Sequence, residues 1–164
     1  MTEADEAPPD EHVRPANVTL QAKAWWRRLR ETAFLYLAVS VGSVIGSVLR
    51  ALASLAALTW IGPAFPWGTL FVNIVGSFVI GFYAAITGPG GRIFAGTYQR
   101  QFVMAGICGG FTTFSVFSLE VFRALHAGIV ALAGLYVAVS IVTWLASAWF
   151  GHALASRLNR LGGT

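Results

Sequence analysis

The stretch that decides the fold is GICGGFTTFSVFS, at residues 106–118. It carries no charge, yet two adjacent glycines, Gly109 and Gly110, are soon followed by paired threonines, Thr112 and Thr113. Both features weaken a helix. Backbone freed from a helix at membrane depth is tolerated only where it is buried in protein or lines a cavity. The stretch therefore predicts a helix broken near mid-membrane, whose carbonyls could bind a cation or whose N–H groups and hydroxyls could bind an anion.

The composition around this stretch is that of a membrane protein. Hydrophobic residues make up 56% of the 164 positions and charged residues only 11%, against about 25% in soluble domains. Spans of roughly 20 apolar residues are expected for membrane helices, and four occur, at about 34–58, 67–87, 98–122 and 128–154. Strict alternation of polar and apolar residues is absent, which argues against a β-barrel. We therefore expect an all-α membrane protein with four transmembrane helices per subunit.

Three regions follow from this pattern. Residues 33–155 are the predicted four-helix transmembrane domain, and 156–164 a short C-terminal tail. Residues 1–32 are acidic and Pro-rich at the start, which predicts a disordered tail. The tail then turns basic around Trp25 and Trp26, a mixture that is typical of an interfacial segment at the lipid headgroups.

The basic residues are distributed unequally between the two sides of the predicted helices. Four spans place both termini on one side. Two basic residues, Arg50 and Arg123, belong to the opposite side, whereas nine belong to the side of the termini: Arg14, Lys23, Arg27, Arg28, Arg30, Arg92, Arg100, Arg157 and Arg160. The positive-inside rule then predicts cytoplasmic termini. The basic residues cluster beside hydrophobic runs, so membrane topology explains them better than nucleic-acid binding.

The first span carries Gly42, Gly46 and Arg50 at intervals of four, hence on one helical face. Small residues at this spacing let two helices approach closely. A charge inside a span is expensive and usually faces protein or water. Arg50 could attract anions toward a vestibule, or it could extend to the membrane surface.

The later spans carry polar stripes and aromatic pairs. Thr69 and Asn73 share a face of the second span, and an amide in lipid must face another helix or a pathway. Phe114 and Phe117 lie three apart, and the positive edge of a phenyl ring can meet an anion, although lipid or core contact is commoner for such a pair. Hydroxyl side chains on the fourth span, including Ser140, could line a pathway or bond to their own helix.

No arrangement of catalytic residues is visible. The three histidines, His12, His126 and His152, are scattered without an acidic partner at a useful spacing, and Ser115 lies in no nucleophile-elbow motif. The sequence therefore indicates a protein that is not an enzyme.

Taken together, these residues resemble the CrcB/Fluc fluoride channel family. The similarity covers roughly 34–151. It rests on Gly42-x3-Gly46-x3-Arg50, on the second-span pattern around Thr69 and Asn73, on Tyr136 and Ser140, and most specifically on the run from Gly109 to Ser118 followed by Glu120.

The resemblance implies a fluoride-selective passive channel that exports cytoplasmic fluoride and confers fluoride resistance. It also implies an antiparallel dimeric channel with two fluoride pathways and a structural sodium ion at the dimer centre. Backbone carbonyls of Gly109 and Thr112 would hold the sodium ion, and Arg50 would be the vestibule arginine. The fluoride pathway would be lined by Asn73, Phe114, Phe117, Thr69, Ser115 and Ser140.

Two positions depart from the family pattern, and the charge distribution raises a question about assembly. Val116 stands where threonine is common, and Trp144 stands where a small residue is expected. A homodimer of two opposite orientations should have balanced basic residues, so the chain forms either such a homodimer or a heterodimer with an oppositely oriented homologue. Two other functions also fit four short helices: a small proton-coupled multidrug exporter, and a non-transporting membrane assembly subunit.

Overall fold

The computed structural model describes residues 14–161, and it is helical throughout apart from short connections. Within the described residues, four stretches are long and apolar enough to cross a membrane: Thr19–Trp60, Trp67–Ile86, Thr97–His126 and Val130–Arg160. The predicted multi-pass, all-helical fold is thereby confirmed. The helices are α1 (Arg14–Trp60), α2 (Trp67–Ile86), α3 (Thr97–Gln101), a π-helix (Phe102–Cys108), α4 (Gly109–Phe111), α5 (Ser115–His126) and α6 (Val130–Leu161).

The N-terminal region differs from the expected disordered tail, because α1 begins at Arg14 and includes 14–32. Proline is tolerated in the first turn of a helix, as at Pro15, and the alanine, leucine, glutamine, lysine and arginine residues that follow are good helix formers. Residues 1–13 lie outside the described part. At the other end, α6 extends through most of the predicted C-terminal tail to Leu161. The chain divides into two compact units, Met1–Phe34 and Leu35–Thr164, and the later three spans belong to the second.

The third span is bent rather than continuous. Its first part runs from α3 through the π-helix into α4, and residues 112–114 are not helical. Thr112 has extended backbone, with φ −81° and ψ 158°, and α5 then resumes at Ser115. The break therefore lies halfway along the 30-residue span, where the paired threonines predict it. A π-helix within a span is rare and often lies at a functional site.

Helices α2 and α6 are held together by close backbone approach. A Cβ on Gly81 would collide with the Ala148 carbonyl, so only glycine fits there. The Ser147 hydroxyl donates to the Ile74 carbonyl at 2.7 Å, and the Asn159 amide donates to Ala85 at 2.9 Å. These bonds fix α6 along α2, which carries Thr69 and Asn73.

Helix α1 packs in the same way against the first half of the third span. A Cβ on Gly46 would collide with the Ile107 carbonyl and lie 2.7 Å from the Phe111 nitrogen. The neighbouring Gly42 faces Phe102 and Gly106 with similarly little room. The prediction that these two glycines form a helix-packing face is confirmed.

Substituting Gly46 by alanine should therefore separate α1 from the third span. The added methyl group meets rigid backbone, and overpacking of this kind costs about 1–3 kcal/mol. We expect a lower midpoint in an SDS unfolding titration of the purified protein. Gly134→Ala is the matched control, because nothing lies within 4 Å of a Cβ at that helical position. Equal midpoints for the two variants would contradict the assigned close packing.

Candidate functional site

The broken segment of the third span is held by one side chain of α2. The Asn73 amide nitrogen donates to the Thr113 carbonyl at 2.9 Å, and its oxygen accepts from the Thr113 N–H at 2.7 Å. The amide thus pairs with both backbone groups of one residue, as a neighbouring β-strand would. Asn73 is 4% exposed, so this pairing takes place away from solvent.

This pairing also changes the bonding of the helix end. In a continuous α-helix, the Thr113 N–H would donate to the carbonyl of Gly109, four residues earlier. It donates to Asn73 instead, so that turn is not completed and the Gly109 carbonyl is released. The Thr112 hydroxyl and N–H both donate to the Cys108 carbonyl at 2.9 Å, which closes the helix one residue earlier.

The second half of the span begins with hydroxyl groups. The Thr113 hydroxyl accepts from the Val116 N–H at 3.2 Å, which satisfies one of the unpaired N–H groups at the start of α5. It also lies 3.2 Å from the Ser115 hydroxyl. Ser115 is exposed on the surface of the chain, so its hydroxyl is available to a ligand or to a neighbouring subunit.

The two phenylalanines of the motif have different environments. Phe117 is 6% exposed, whereas Phe114 is 72% exposed. Their ring centroids are 5.5 Å apart. Phe117 also packs against Tyr136 at 5.1 Å and meets Trp144 edge-to-face at 4.9 Å. The rings therefore form a continuous aromatic row from the surface of the chain into its core.

A carboxylate lies at the centre of a hydroxyl cluster that sequence reasoning did not assign to the site. Glu120 accepts from the Thr69 hydroxyl at 2.8 Å and from the Tyr136 hydroxyl at 2.7 Å. Thr69 and Tyr136 are 4% and 2% exposed. The sequence does contain one signal for a role of Glu120. It is the only acidic residue after Glu31, and it lies in a span that is otherwise free of negative charge.

A cavity of about 530 Å³ opens beside this cluster. Thr69, Glu120 and Tyr136 all line it, and the cation on its wall is Arg123. Arg50, the expected vestibule arginine, is half-buried on α1 and is not among the lining residues. The structure therefore brings Thr69 into the cavity but does not bring Arg50 there.

The donor set for the expected cation fits its chemistry. Sodium is a hard cation that prefers oxygen ligands, and the broken segment offers backbone carbonyls at Gly109 and Thr112. Within residues 14–161, no group of three or more acidic, histidine or cysteine side chains could hold a metal. Gly109 lies exposed on the surface of the chain, so a second subunit would have to complete such a site.

The remaining predicted residue, Ser140, is fully buried on α6, one turn beyond Tyr136. The structure thus brings Thr69, Asn73, Phe117 and Ser140 into one buried region, while Phe114 and Ser115 lie at its exposed edge.

Comparison with known proteins fits this geometry. The family model described as CrcB-like protein, Camphor Resistance (CrcB), matches residues 37–152. The chain belongs to the CrcB-like family. The matched part contains the second and third spans whole and most of the first and fourth, and it includes the broken segment and the Asn73 pairing. The N-terminal part of α1 precedes it.

Curated relatives match this chain over nearly their whole length. A Rhodopseudomonas palustris (strain BisB18) protein named Fluoride-specific ion channel FluC 1 is 57% identical over 83% of this chain and 96% of its own length. A Bradyrhizobium diazoefficiens protein of the same name is 54% identical over 88% of this chain and 97% of its length. Fluoride-specific ion channel FluC of Opitutus terrae is 50% identical over 79% and 98%. The names of these CrcB-like relatives describe ion channels rather than enzymes.

Replacing Asn73 by alanine should release the broken segment of this CrcB-like chain. Both backbone groups of Thr113 lose their partner, and each unsatisfied buried group costs about 1–3 kcal/mol. We expect faster hydrogen–deuterium exchange over residues 112–116, measured by mass spectrometry on the purified protein. Asn159→Ala is the control, because that amide also bonds to backbone, but at Arg92 and Ala85. Unchanged exchange in the Asn73 variant would contradict the role assigned to the pairing.

Proposed function

We propose that the chain is a fluoride-selective passive ion channel that exports cytoplasmic fluoride and so reduces fluoride toxicity. The observation that carries the proposal is the buried region that holds Thr69, Asn73, Phe117 and Ser140 beside the break in the third span. The membership of the family and the names of the relatives support it.

The chemistry of fluoride explains why such donors are suitable. Fluoride is small and strongly hydrated, so a pore must replace its water with donor groups and still bind it weakly enough to release it. A fixed positive charge could trap the ion. Hydroxyls, amide N–H groups and ring edges supply partial positive charge without that risk.

The proposed path follows the geometry from the cavity inward. Thr69 lines the cavity, and Asn73 lies one turn further along the same face of α2. The Asn73 amide has two N–H groups, and Thr113 uses one of them, so the other can donate to an anion. Phe117 and Ser140 are buried as well. Phe114 and Ser115 form the exposed end of the path.

A passive pore is sufficient for export. Hydrogen fluoride is a weak acid that crosses membranes in its neutral form and ionises at cytoplasmic pH. Fluoride therefore accumulates inside the cell, and a selective pore lets it leave down its gradient without energy input. The proposed mechanism therefore couples fluoride export to no other source of energy.

The proposed channel is an antiparallel dimer in the cell membrane. Gly109, Phe114 and Ser115 are exposed on a single chain although they belong to the motif, and a second subunit would cover them. A structural sodium ion would be held there by the carbonyls of Gly109 and Thr112 from each subunit. We propose Arg50 as a vestibule residue of this dimer rather than of one chain.

Orientation in the membrane is part of the same proposal. The nine-to-two distribution of basic residues favours cytoplasmic termini. It also leaves two arrangements, an antiparallel homodimer and a heterodimer with an oppositely oriented homologue. The basic, Trp-containing segment around Trp25 and Trp26 would lie against the lipid headgroups, since both indoles are exposed.

Neither of the other two functions gains support from the relatives, whose names describe fluoride-specific ion channels. A proton-coupled exporter would use a carboxylate deep in the membrane. Glu120 is half-buried, but two hydroxyls already donate to it. A non-transporting assembly subunit would not need the buried polar side chains of Thr69, Asn73 and Ser140.

Replacing Phe114 by isoleucine should abolish fluoride efflux from liposomes that contain the purified protein. Isoleucine keeps an apolar side chain of moderate size but has no positive ring edge to meet the anion. We expect rapid fluoride efflux from the unsubstituted protein, little chloride efflux, and at least a tenfold loss in the variant. Phe94→Ile is the control, because Phe94 is 97% exposed and lies outside the motif.

Full efflux in Phe114→Ile would contradict the role of the ring. No fluoride efflux from well-folded unsubstituted protein, alone and with candidate homologues, would contradict the channel itself.

Labelling of an epitope at each terminus should distinguish the two dimers. A homodimer of opposite orientations exposes each epitope on both sides of the membrane, whereas a heterodimer subunit exposes its termini on the cytoplasmic side alone. The measurement uses a membrane-impermeant reagent on intact and on permeabilised cells. The expectation of an antiparallel arrangement would fail if each terminus lay on one side and no homologue co-purified.

A further inference from the structure

Two polar side-chain atoms in the core have no hydrogen-bond partner within the described residues. They are the Ser140 Oγ and the Trp144 Nε1, and both atoms are buried. An unpaired buried polar group costs about 1–3 kcal/mol, so native structures contain few of them. Two such atoms, four residues apart on one helix, require an explanation.

The two atoms belong to the same place in the fold. Ser140 and Trp144 lie four residues apart on α6, so their side chains are neighbours on one helical face. Ser140 is 0% exposed, and the Trp144 ring packs edge-to-face on Phe117 at 4.9 Å. Phe117 in turn contacts the exposed Phe114. The Trp144 ring therefore joins the aromatic row at Phe117, and Ser140 lies one turn earlier on the same face of α6.

The chemistry of the pair limits what it can bind. An indole N–H is a donor only, whereas a hydroxyl can either donate or accept. A cation would be repelled by the N–H, so a ligand shared by both atoms must be an acceptor. A serine alone could bond to its own helix carbonyl, but the indole nitrogen cannot reach its own backbone. Trp144 is thus the residue that demands an external acceptor.

We propose that Trp144 is a fluoride ligand, and that its Nε1–H and the Ser140 hydroxyl donate together to the ion as it passes Phe117. The inference rests on the proposed channel function and adds one donor to it. Trp144 stands where the family pattern has a small residue. Its ring fills the space beside Phe117, and its N–H still supplies a donor to the pathway.

Replacing Trp144 by phenylalanine tests this inference in the full chain. Phenylalanine keeps a ring against Phe117 and removes the N–H. A hydrogen bond to a charged group is worth about 1.5–3 kcal/mol, so we expect fluoride efflux from liposomes to fall about tenfold or more. Ser140→Ala should give a similar loss. Trp149→Phe makes the same chemical change on the same helix, but Trp149 is 71% exposed, so its efflux should stay within twofold of the unsubstituted protein.

A second measurement reports on the N–H directly in the unsubstituted protein. With ¹⁵N-labelled tryptophan, each indole N–H gives its own NMR signal, and the Trp144 signal is the one missing in Trp144→Phe, or failing that in Trp144→Tyr. We expect fluoride to move this signal downfield to saturation, while chloride at equal concentration leaves it unchanged.

The outcomes separate this inference from the channel function. Efflux by the unsubstituted protein tests the channel alone. If the protein conducts fluoride but the Trp144 signal does not respond to it, the inference is wrong and the two atoms bond to a buried water molecule. Normal efflux in Trp144→Phe would overturn the inference equally.

Discussion

The rest of the structure depends on the pairing between the Asn73 side chain and the backbone of Thr113. A chain that leaves its helix inside a membrane loses the partners of its N–H and carbonyl groups, and lipid offers none. One amide replaces both partners at 2.7 and 2.9 Å. Because this satisfies Thr113 completely, the span can contain an irregular segment without a large energetic cost. That segment is what turns a bundle of apolar helices into a molecule that can bind ions.

The pairing requires the helices to approach closely, and glycine makes this possible. A Cβ on Gly76, one turn beyond Asn73, would collide with the Thr112 methyl group. On the opposite side of the break, a Cβ on Gly110 would collide with the Ser43 carbonyl. In lipid, packing of this kind replaces the hydrophobic effect as the force that holds helices together. The same glycines therefore position the site and stabilise the bundle.

The four spans and the break followed from the sequence, because apolar length and the Gly109-Gly110 pair are local signals. The roles of the predicted ion-binding residues remain predictions. Two features had no local signal, and a third had a misleading one. The pairing of Asn73 with Thr113 and the bonds from Thr69 and Tyr136 to Glu120 join residues far apart in the chain, and hydrophobic patterns do not encode such contacts. The start of α1 at Arg14 was hidden by the acidic, Pro-rich residues before it, whose composition indicates disorder although the following residues favour a helix.

The half-buried carboxylate of Glu120 poses the sharpest electrostatic problem for an anion pathway. Glu120 would repel fluoride if its charge were unopposed, but the Thr69 and Tyr136 hydroxyls donate to its two oxygens. The carboxylate orients those hydroxyls, and they stabilise its negative charge. Glu120 therefore repels a fluoride ion in the pathway less strongly. An indole N–H differs from these hydroxyls because it cannot accept a hydrogen bond. The Trp144 N–H can therefore only donate, so any anion that reaches it meets a hydrogen-bond donor.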